Sequence, residues 1–291
     1  MRIVWGIRRD TCFSPGSEVR DEAIFSAVRH VLERRGVRVC VKSEREIGSF
    51  PVCDSVGIFS MARSQGALEA LAAYERCGVF VINPASGVHN CTRTVWADYF
   101  RNQKVPSPYS VGLNLMSETF EHDIRHLSEK IFPCWIKRGE QCSQEVHDVC
   151  YVAGMDELWN VCTEFRRRGI YSAVLSAHVC GDLVKFYGVQ GTSFFRFFYP
   201  AERGYDKFGG TGENACHHGF LFDVRALEEC CERVAVGLRT PVYGGDCIVD
   251  SEGHFYIIDW NDWPSFSVFL QEASEAIAEK LLSGLKDRGY E

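Results

Sequence analysis

The chain has 291 residues, 46% hydrophobic and 24% charged, with a formal net charge of −7. Those values suit a soluble globular protein of about two compact domains. The acidic balance disfavours a nucleic-acid partner, which needs a basic face.

No apolar run approaches the roughly 20 residues of a membrane span. Met1-Arg2-Ile3-Val4-Trp5-Gly6 enters a strand at once, without the layout of a signal peptide. A cytoplasmic protein with no membrane partner is therefore expected. The 14 Cys read as small buried thiols in a reducing compartment rather than as a disulfide framework.

Residues 3–7 read as a strand and 8–17 as a polar loop. A helix follows over 20–35, where Ile24, Ala27, Val28, Val31 and Leu32 recur at helical spacing until Gly36 stops it. Further strands are expected at 37–41, 55–60 and 79–82, with a second helix over 67–76 ended by Gly78. This alternation predicts a small α/β layer with a parallel sheet, a first domain over residues 1–90. Ligands of such layers lie beyond the C-terminal strand ends, here 8–13 and 83–87. No G-x-G-x-x-G follows the first strand, so dinucleotide binding is not indicated.

Asn83-Pro84-Ala85-Ser86-Gly87 reads as a loop, Thr92 as the cap of a helix over 94–102, and Val105-Pro106-Ser107-Pro108-Tyr109 as a break. Phe132-Pro133-Cys134-Trp135-Ile136-Lys137 brings a Lys to a strand end, and a polar loop follows over 140–147. Residues 170–178 and 181–189 read as strands joined at Gly181. Phe194-Phe195-Arg196-Phe197-Phe198-Tyr199 is an apolar strand with one Arg. Either Arg196 snorkels to an edge or it reaches a phosphate.

Residues 204–218 read as a long loop-like stretch with Lys207, Gly209-Gly210-Thr211-Gly212, His217 and His218. Long loops in compact domains are often binding loops or lids. Cys216-His217-His218 and Cys230-Cys231 lack the C-x-x-C spacing of a zinc site. The second pair falls on a helix over 226–236, where neighbours point apart. A last helix over 269–286 gathers Ala273, Ile277, Ala278, Leu281 and Leu282 on one face.

The most informative segment is a hairpin. Residues 247–249 and 255–258 read as short strands around the turn Asp250-Ser251-Glu252-Gly253. Asp246 opens the first strand. Asp259 and Asn261 close the second, and their spacing of two puts both on one face. Antiparallel pairing brings Asp246 near Asp259. Such oxygen-only ligands suit Mg²⁺, which keeps waters and takes the rest of its shell from nucleotide phosphates.

In order, these segments resemble the ATP-grasp superfamily. The likeness rests on Asp246, on Asp259-x-Asn261 followed by Pro264, on Lys137, and on Gly181, Asp182 and Lys185. It rests also on Asn83 and Asn90-Cys91-Thr92-Arg93 before a helix and Val105-Pro106-x-Pro108, with Arg93 where the family usually carries Lys. The likeness is nearest to ribosomal-protein glutamate ligases and D-alanine–D-alanine ligases, at the motifs only.

The resemblance implies an α/β (α+β) fold. An N-terminal pre-ATP-grasp layer would precede a two-lobed ATP-grasp domain over 91–291, with a central lobe near 105–175 and a C-terminal lobe near 176–291. It implies ATP and Mg²⁺ as cofactors. Arg93, Lys137 and Lys185 would contact phosphates, Asp182 the ribose hydroxyls, and Asp246, Asp259 and Asn261 the metals. Arg196 and Lys207 would act on the transferred phosphoryl group or the acid substrate.

The implied activity joins a small-molecule carboxylate to an amine, or a thiol, through an acyl-phosphate. A small-molecule kinase and a non-catalytic nucleotide-binding module are the alternatives. Two departures stand out. Ala173-Val174-Leu175-Ser176-Ala177-His178 lacks the usual Glu before Gly181, and no Arg stands just before Asp246.

Overall fold

The computed structural model describes residues 3–49, 55–125, 127, 131–140, 146–200 and 217–290. Among them lie three four-stranded sheets. The first is parallel, in the order β2-β1-β3-β4, and contains β1 (Ile3–Arg8), β2 (Arg38–Ser43), β3 (Gly57–Ser60) and β4 (Phe80–Ile82). Alternate residues of β1 face opposite ways. Val4 therefore packs with Ile24, Phe25 and Val28 of α1 (Glu18–Arg34), and Trp5 and Ile7 pack with Ala67, Leu71 and Tyr74 of α2 (Gln65–Arg76). Burying each large apolar side chain stabilises the layer by about 1.5–3 kcal/mol.

Two helices, α3 (Ala85–Asn90) and α4 (Arg93–Gln103), lead into the second sheet. It is antiparallel, in the order β5-β8-β6-β7, with β5 (Ser110–Asn114), β6 (Cys134–Arg138), β7 (Val149–Val152) and β8 (Ser172–Ala177). Helices α5 (Phe120–Arg125) and α6 (Met155–Arg167) cover one face, burying Ile124, Leu158, Cys162 and Phe165 on Cys134, Ile136, Val152 and Leu175. The other face carries Trp135 and Lys137.

The third sheet is antiparallel, in the order β10-β9-β11-β12. Its strands are β9 (Asp182–Val189), β10 (Phe195–Phe198), β11 (Val242–Val249) and β12 (Phe255–Asp262). Helices α7 (Val224–Leu238) and α4 close its back, where Trp96, Leu227, Cys231 and Val234 meet Val184, Phe186, Cys247 and Trp260. The last helix, α8 (Leu270–Lys286), returns to the first layer. Its Ile277, Leu281 and Leu285 share one core with Val4, Val28, Phe59 and Val242. The first and third sheets are thus packed through common side chains.

Several local expectations change. Residues 83–87 are not one loop, because α3 starts at Ala85. Thr92 stands at the N-cap of α4, but its hydroxyl turns back to donate to His89 O and does not cap. The strands around the metal motif are longer than the apolar runs showed: β11 reaches back through Gly244 and Gly245, and β12 runs on to Asp262. Residues 141–145 of the polar loop, and residues 204–216 with Lys207 and Cys216, lie outside the described residues. No described helix is long and apolar enough to cross a membrane.

Candidate active site

Three neighbouring strands of the third sheet place Lys185, Asp246 and Asp259 side by side in register. The next row along holds Tyr187, Gly244 and Asn261. The strand period puts all the polar groups on one face and sends Val184, Phe186, Cys247 and Trp260 into the core behind. A register shift between Asp246 and Cys247 locally re-aims β12. Lys185 Nζ donates to Asp246 Oδ1 at 2.6 Å, and Asn261 Nδ2 donates to Asp259 Oδ2 at 3.1 Å.

The second sheet supplies the opposite wall. Lys137 Nζ donates to Ile258 O on β12 at 2.7 Å. Arg93, the first residue of α4, donates from its backbone N to Gly139 O at 3.0 Å and from Nη1 to Arg138 O at 3.1 Å. Its Nε lies 3.4 Å from Asp259 Oδ1. Arg93 and Lys137 are each only 6% exposed, so their charges act through little solvent.

The charges tune one another. Burial pushes the Lys137 ammonium down to about 8, with Asp259 and Asp246 opposing and Arg93 reinforcing. Burial disfavours the Asp259 carboxylate, yet Arg93, Lys137, the Asn261 amide and Lys185 outweigh it and hold the group below its ordinary value. Burial also opposes the Lys185 charge, but Asp246 reverses the balance and raises that group. Three cations around two carboxylates leave an excess positive field suited to a polyanion.

The donor set fits Mg²⁺. Asp246, Asp259 and Asn261 offer oxygen ligands on one face, the chemistry this ion takes. No group of three or more His, Cys, Asp or Glu among the described residues is arranged to hold a metal. Two carboxylates and an amide leave coordination positions for water and phosphate.

Not every expected residue joins this cluster. Asp182 is 1% exposed. Its Oδ1 accepts from His218 N at 2.7 Å and lies 3.1 Å from His218 Nδ1, while its Oδ2 accepts from Phe220 N at 2.8 Å. The carboxylate pins residues 218–220 to the start of β9 and lies apart from the cluster of Lys185, Asp246 and Asp259. Arg196 donates to Glu272 Oε2 from Nε at 2.8 Å and from Nη2 at 2.5 Å, and to Phe195 O at 2.8 Å. It is tied to the first turn of α8, apart from Lys137, Lys185 and Arg93.

Other features were missed in the sequence. Trp135 shares a strand face with Lys137, two residues away. Its Nε1 donates to His178 Nδ1 at 3.0 Å, and Tyr151 packs edge-on to both rings. The signal was the alternation Cys134-Trp135-Ile136-Lys137, which puts Trp135 on the polar side. The missing Arg before Asp246 also has a steric cause. A Cβ on Gly244 would lie 2.7 Å from Pro264 Cγ and 2.8 Å from Tyr187 Cδ1, and one on Gly245 would lie 2.3 Å from Asp259 O. No side chain fits at either position.

Two antiparallel sheets with facing cations and carboxylates, preceded by a parallel layer, define the ATP-grasp fold. D-alanyl-alanine synthetase A from Vibrio cholerae is similar with a TM-score of 0.73 over 98% of this chain and 99% of its own, at 10% sequence identity. D-alanine–D-alanine ligase from Bacillus anthracis, in complex with ATP, gives 0.67 over 99% and 100% at 12% identity. A RimK domain ATP-grasp protein from Sphaerobacter thermophilus gives 0.64 over 97% and 100% at 15% identity. The chain carries the ATP-grasp fold over nearly its whole length, as the motif resemblance implied. No protein-family model matches the sequence, and no curated protein matches it.

Proposed function

We propose that this protein is an ATP- and Mg²⁺-dependent ligase that joins a small-molecule carboxylate to an amine through an acyl-phosphate. The observation that carries the reading is the convergence of Lys185, Asp246, Asp259 and Asn261 from one sheet with Lys137 from the sheet opposite and Arg93 from the start of α4. In this reading residues 1–90 form the substrate-side layer, and residues 91–291 form the nucleotide-binding domain.

Lys137, Lys185 and Arg93 exchange their present partners for phosphate oxygens. They orient the γ-phosphoryl group and neutralise charge that grows on it, at positions already fixed by the fold. Asp246, Asp259 and Asn261 hold Mg²⁺, which neutralises and polarises the phosphates when bound. The substrate carboxylate attacks the γ-phosphorus and ADP leaves. The amine then attacks the acyl carbon, phosphate departs, and the amine loses its proton. The sum is acid, amine and ATP to amide, ADP and phosphate.

The N-terminal layer supports a substrate site beside this one. A cavity of about 250 Å³ opens at the C-terminal end of β1, lined by Arg8, Arg9, Asp21, Glu22 and Phe25 among others. Ligands of parallel α/β layers bind at such strand ends.

The test is ADP release with ATP, Mg²⁺ and a panel of amino acids and amines, with products identified by mass spectrometry. An amide product supports the ligase. A phosphorylated acceptor without amide identifies a kinase. Tight ATP binding with no ADP release across the panel identifies a non-catalytic module.

A further inference from the structure

The residue after the last metal-ligand candidate is Asp262, which is 1% exposed and ends β12. Two arginines of the first layer pair with it, Arg63 through a hydrogen bond and Arg9 through a longer ion pair. Arg63, just beyond β3, pairs with Oδ1 and also donates from Nη2 to Asp262 O at 3.4 Å. Arg9, just beyond β1, places Nη2 4.0 Å from Asp262 Oδ2 and 3.4 Å from Trp263 O.

The arginines are themselves fixed. Arg9 Nε donates to Met61 O at 3.0 Å, and its Nη1 donates to Ser14 Oγ at 3.1 Å and Asp21 Oδ2 at 3.2 Å. Buried Glu44, just beyond β2, accepts from the backbone N of Asp10, Arg63 and Ser64 at 2.6, 2.7 and 3.2 Å. The C-terminal ends of three parallel strands are thereby knitted into one cradle under Asp262.

This pairing falls where the metal strand most needs it. β12 is an edge strand with a single neighbour, β11, and Asn261 is its penultimate residue. The chain then turns through Trp263 at φ 40° and Phe266 at φ 49°, a backbone region that bulky side chains rarely adopt and that persists only where surroundings over-determine it. Mg²⁺ demands near-ideal ligand placement, so the position of this strand end bears directly on affinity.

We propose that Arg9 and Arg63 are positioning residues, acting through Asp262 to set where Asn261 and Asp259 present their oxygens to the metal. The inference rests on the metal–nucleotide site of the proposed function. Arg9 also lines the cavity at the end of β1, so one guanidinium touches both the substrate side and the metal strand.

The test uses the full chain, Mg²⁺ and the non-hydrolysable analogue AMPPNP, with affinity measured by calorimetry with metal and in EDTA. Arg63→Gln and Asp262→Asn should each weaken the metal-dependent affinity about tenfold or more, the size seen when groups behind a metal ligand are removed. Affinity in EDTA should stay within about twofold of wild type, because Lys137, Lys185 and Arg93 are untouched. Arg63→Lys should recover part of the loss. Mn²⁺ substituted for Mg²⁺ should give an altered electron paramagnetic resonance spectrum in Arg63→Gln.

Should Asp262→Asn fail to fold, Arg63→Gln and Arg63→Lys decide the matter alone. A merely structural role would lower the melting temperature of every state and leave the metal-dependent difference intact, which overturns the proposal. Absence of any metal-dependent binding in the wild type overturns the proposed function instead, and this inference with it.

Discussion

Asp246 and Asp259 stand directly opposite each other on adjacent antiparallel strands. Like charges so placed destabilise a sheet. Each is met by its own cation from another element: Lys185 of β9 lies 2.6 Å from Asp246, and Arg93 of α4 lies 3.4 Å from Asp259. A sheet selected for stability alone has no use for this arrangement. In the proposed function a divalent cation removes the repulsion and frees both cations for phosphate.

Asp259→Asn tests the metal site. ATP with Mg²⁺ should raise the melting temperature of the wild type, because a ligand that binds only the folded state stabilises it by about 2.7 kcal/mol at a hundred times its Kd. The variant should lose most of the Mg²⁺-dependent part and keep the shift seen in EDTA. Equal shifts in wild type and variant, with and without metal, would exclude Asp259 as a ligand.

Lys137 gives a proton signature. Its ammonium ordinarily titrates at 10.5 and is pushed down to about 8 in the fold by burial. Between those values the unfolded chain binds a proton the folded chain does not, so the contribution of this group to stability rises with pH across that window. Below it, the buried charge costs the fold on the order of 3 kcal/mol. Phosphate beside Nζ favours the charged form. ATP binding at about pH 9 should therefore take up a proton, and binding at about pH 7 should take up none through this group. Calorimetry in buffers of different ionisation enthalpy reads the uptake, and Lys137→Met should abolish it. Binding heats that do not depend on buffer at the higher pH would contradict the placement of Lys137 on phosphate.

Much of the site was legible because phosphate and metal chemistry accept few residue types and a strand shows alternate residues on one face. The structure gathers Asp246, Asp259 and Asn261 on adjacent strands of one sheet and brings Lys137 to them from the other. The same logic gave the first layer, where Ile24, Val28 and Leu32 mark α1 and short β-branched runs mark the strands. It does not reach partners remote in sequence. The anchoring partners of Asp182, His218 and Phe220, lie 36 and 38 residues away. The ion-pair partner of Arg196, Glu272, lies 76 residues away. The Arg63–Asp262 pair spans 199 residues and left no local signal. In the central sheet, β7 is a four-residue edge strand, and α6 starts at Met155 behind Gly154, an N-cap with no side chain to announce it.

Asp182→Ala should be a stability variant. Removing the carboxylate orphans two backbone N–H groups, a loss of about 2–4 kcal/mol for charge-assisted bonds in a buried setting. Burial pushes this carboxyl up, but the N–H groups of His218 and Phe220 outweigh it and hold the group below its ordinary 3.8. Its stabilisation is therefore fully present above that value and is lost as pH falls below it. Urea denaturation should show the wild type well above the variant at neutral pH and the gap closing in acid. A gap that is constant with pH, or an ATP affinity that collapses while stability holds, would favour the ribose role.

Gly181→Ala tests the hinge between β8 and β9, the link between the two facing sheets. Gly181 has φ 152°, and a Cβ there would lie 2.2 Å from Val249 O and 2.8 Å from Ile248 Cγ2. The nearer obstacle is backbone of β11, the strand that carries Asp246, so it cannot rotate aside. Relief requires the hinge to move away from β11, which shifts the second sheet relative to the third. The variant should lose about 2 kcal/mol or more in urea denaturation, because native backbone and alanine are incompatible here. ATP affinity should fall with it, since Lys137 and Lys185 sit on opposite sides of the displaced gap. Gly112→Ala on β5 is the control: nothing lies within 4 Å of its Cβ, and its stability should stay within about 0.5 kcal/mol of wild type. A Gly181→Ala protein as stable as that control, with unchanged ATP affinity, would mean that the hinge is not packed against Val249 and does not set the spacing of the two walls.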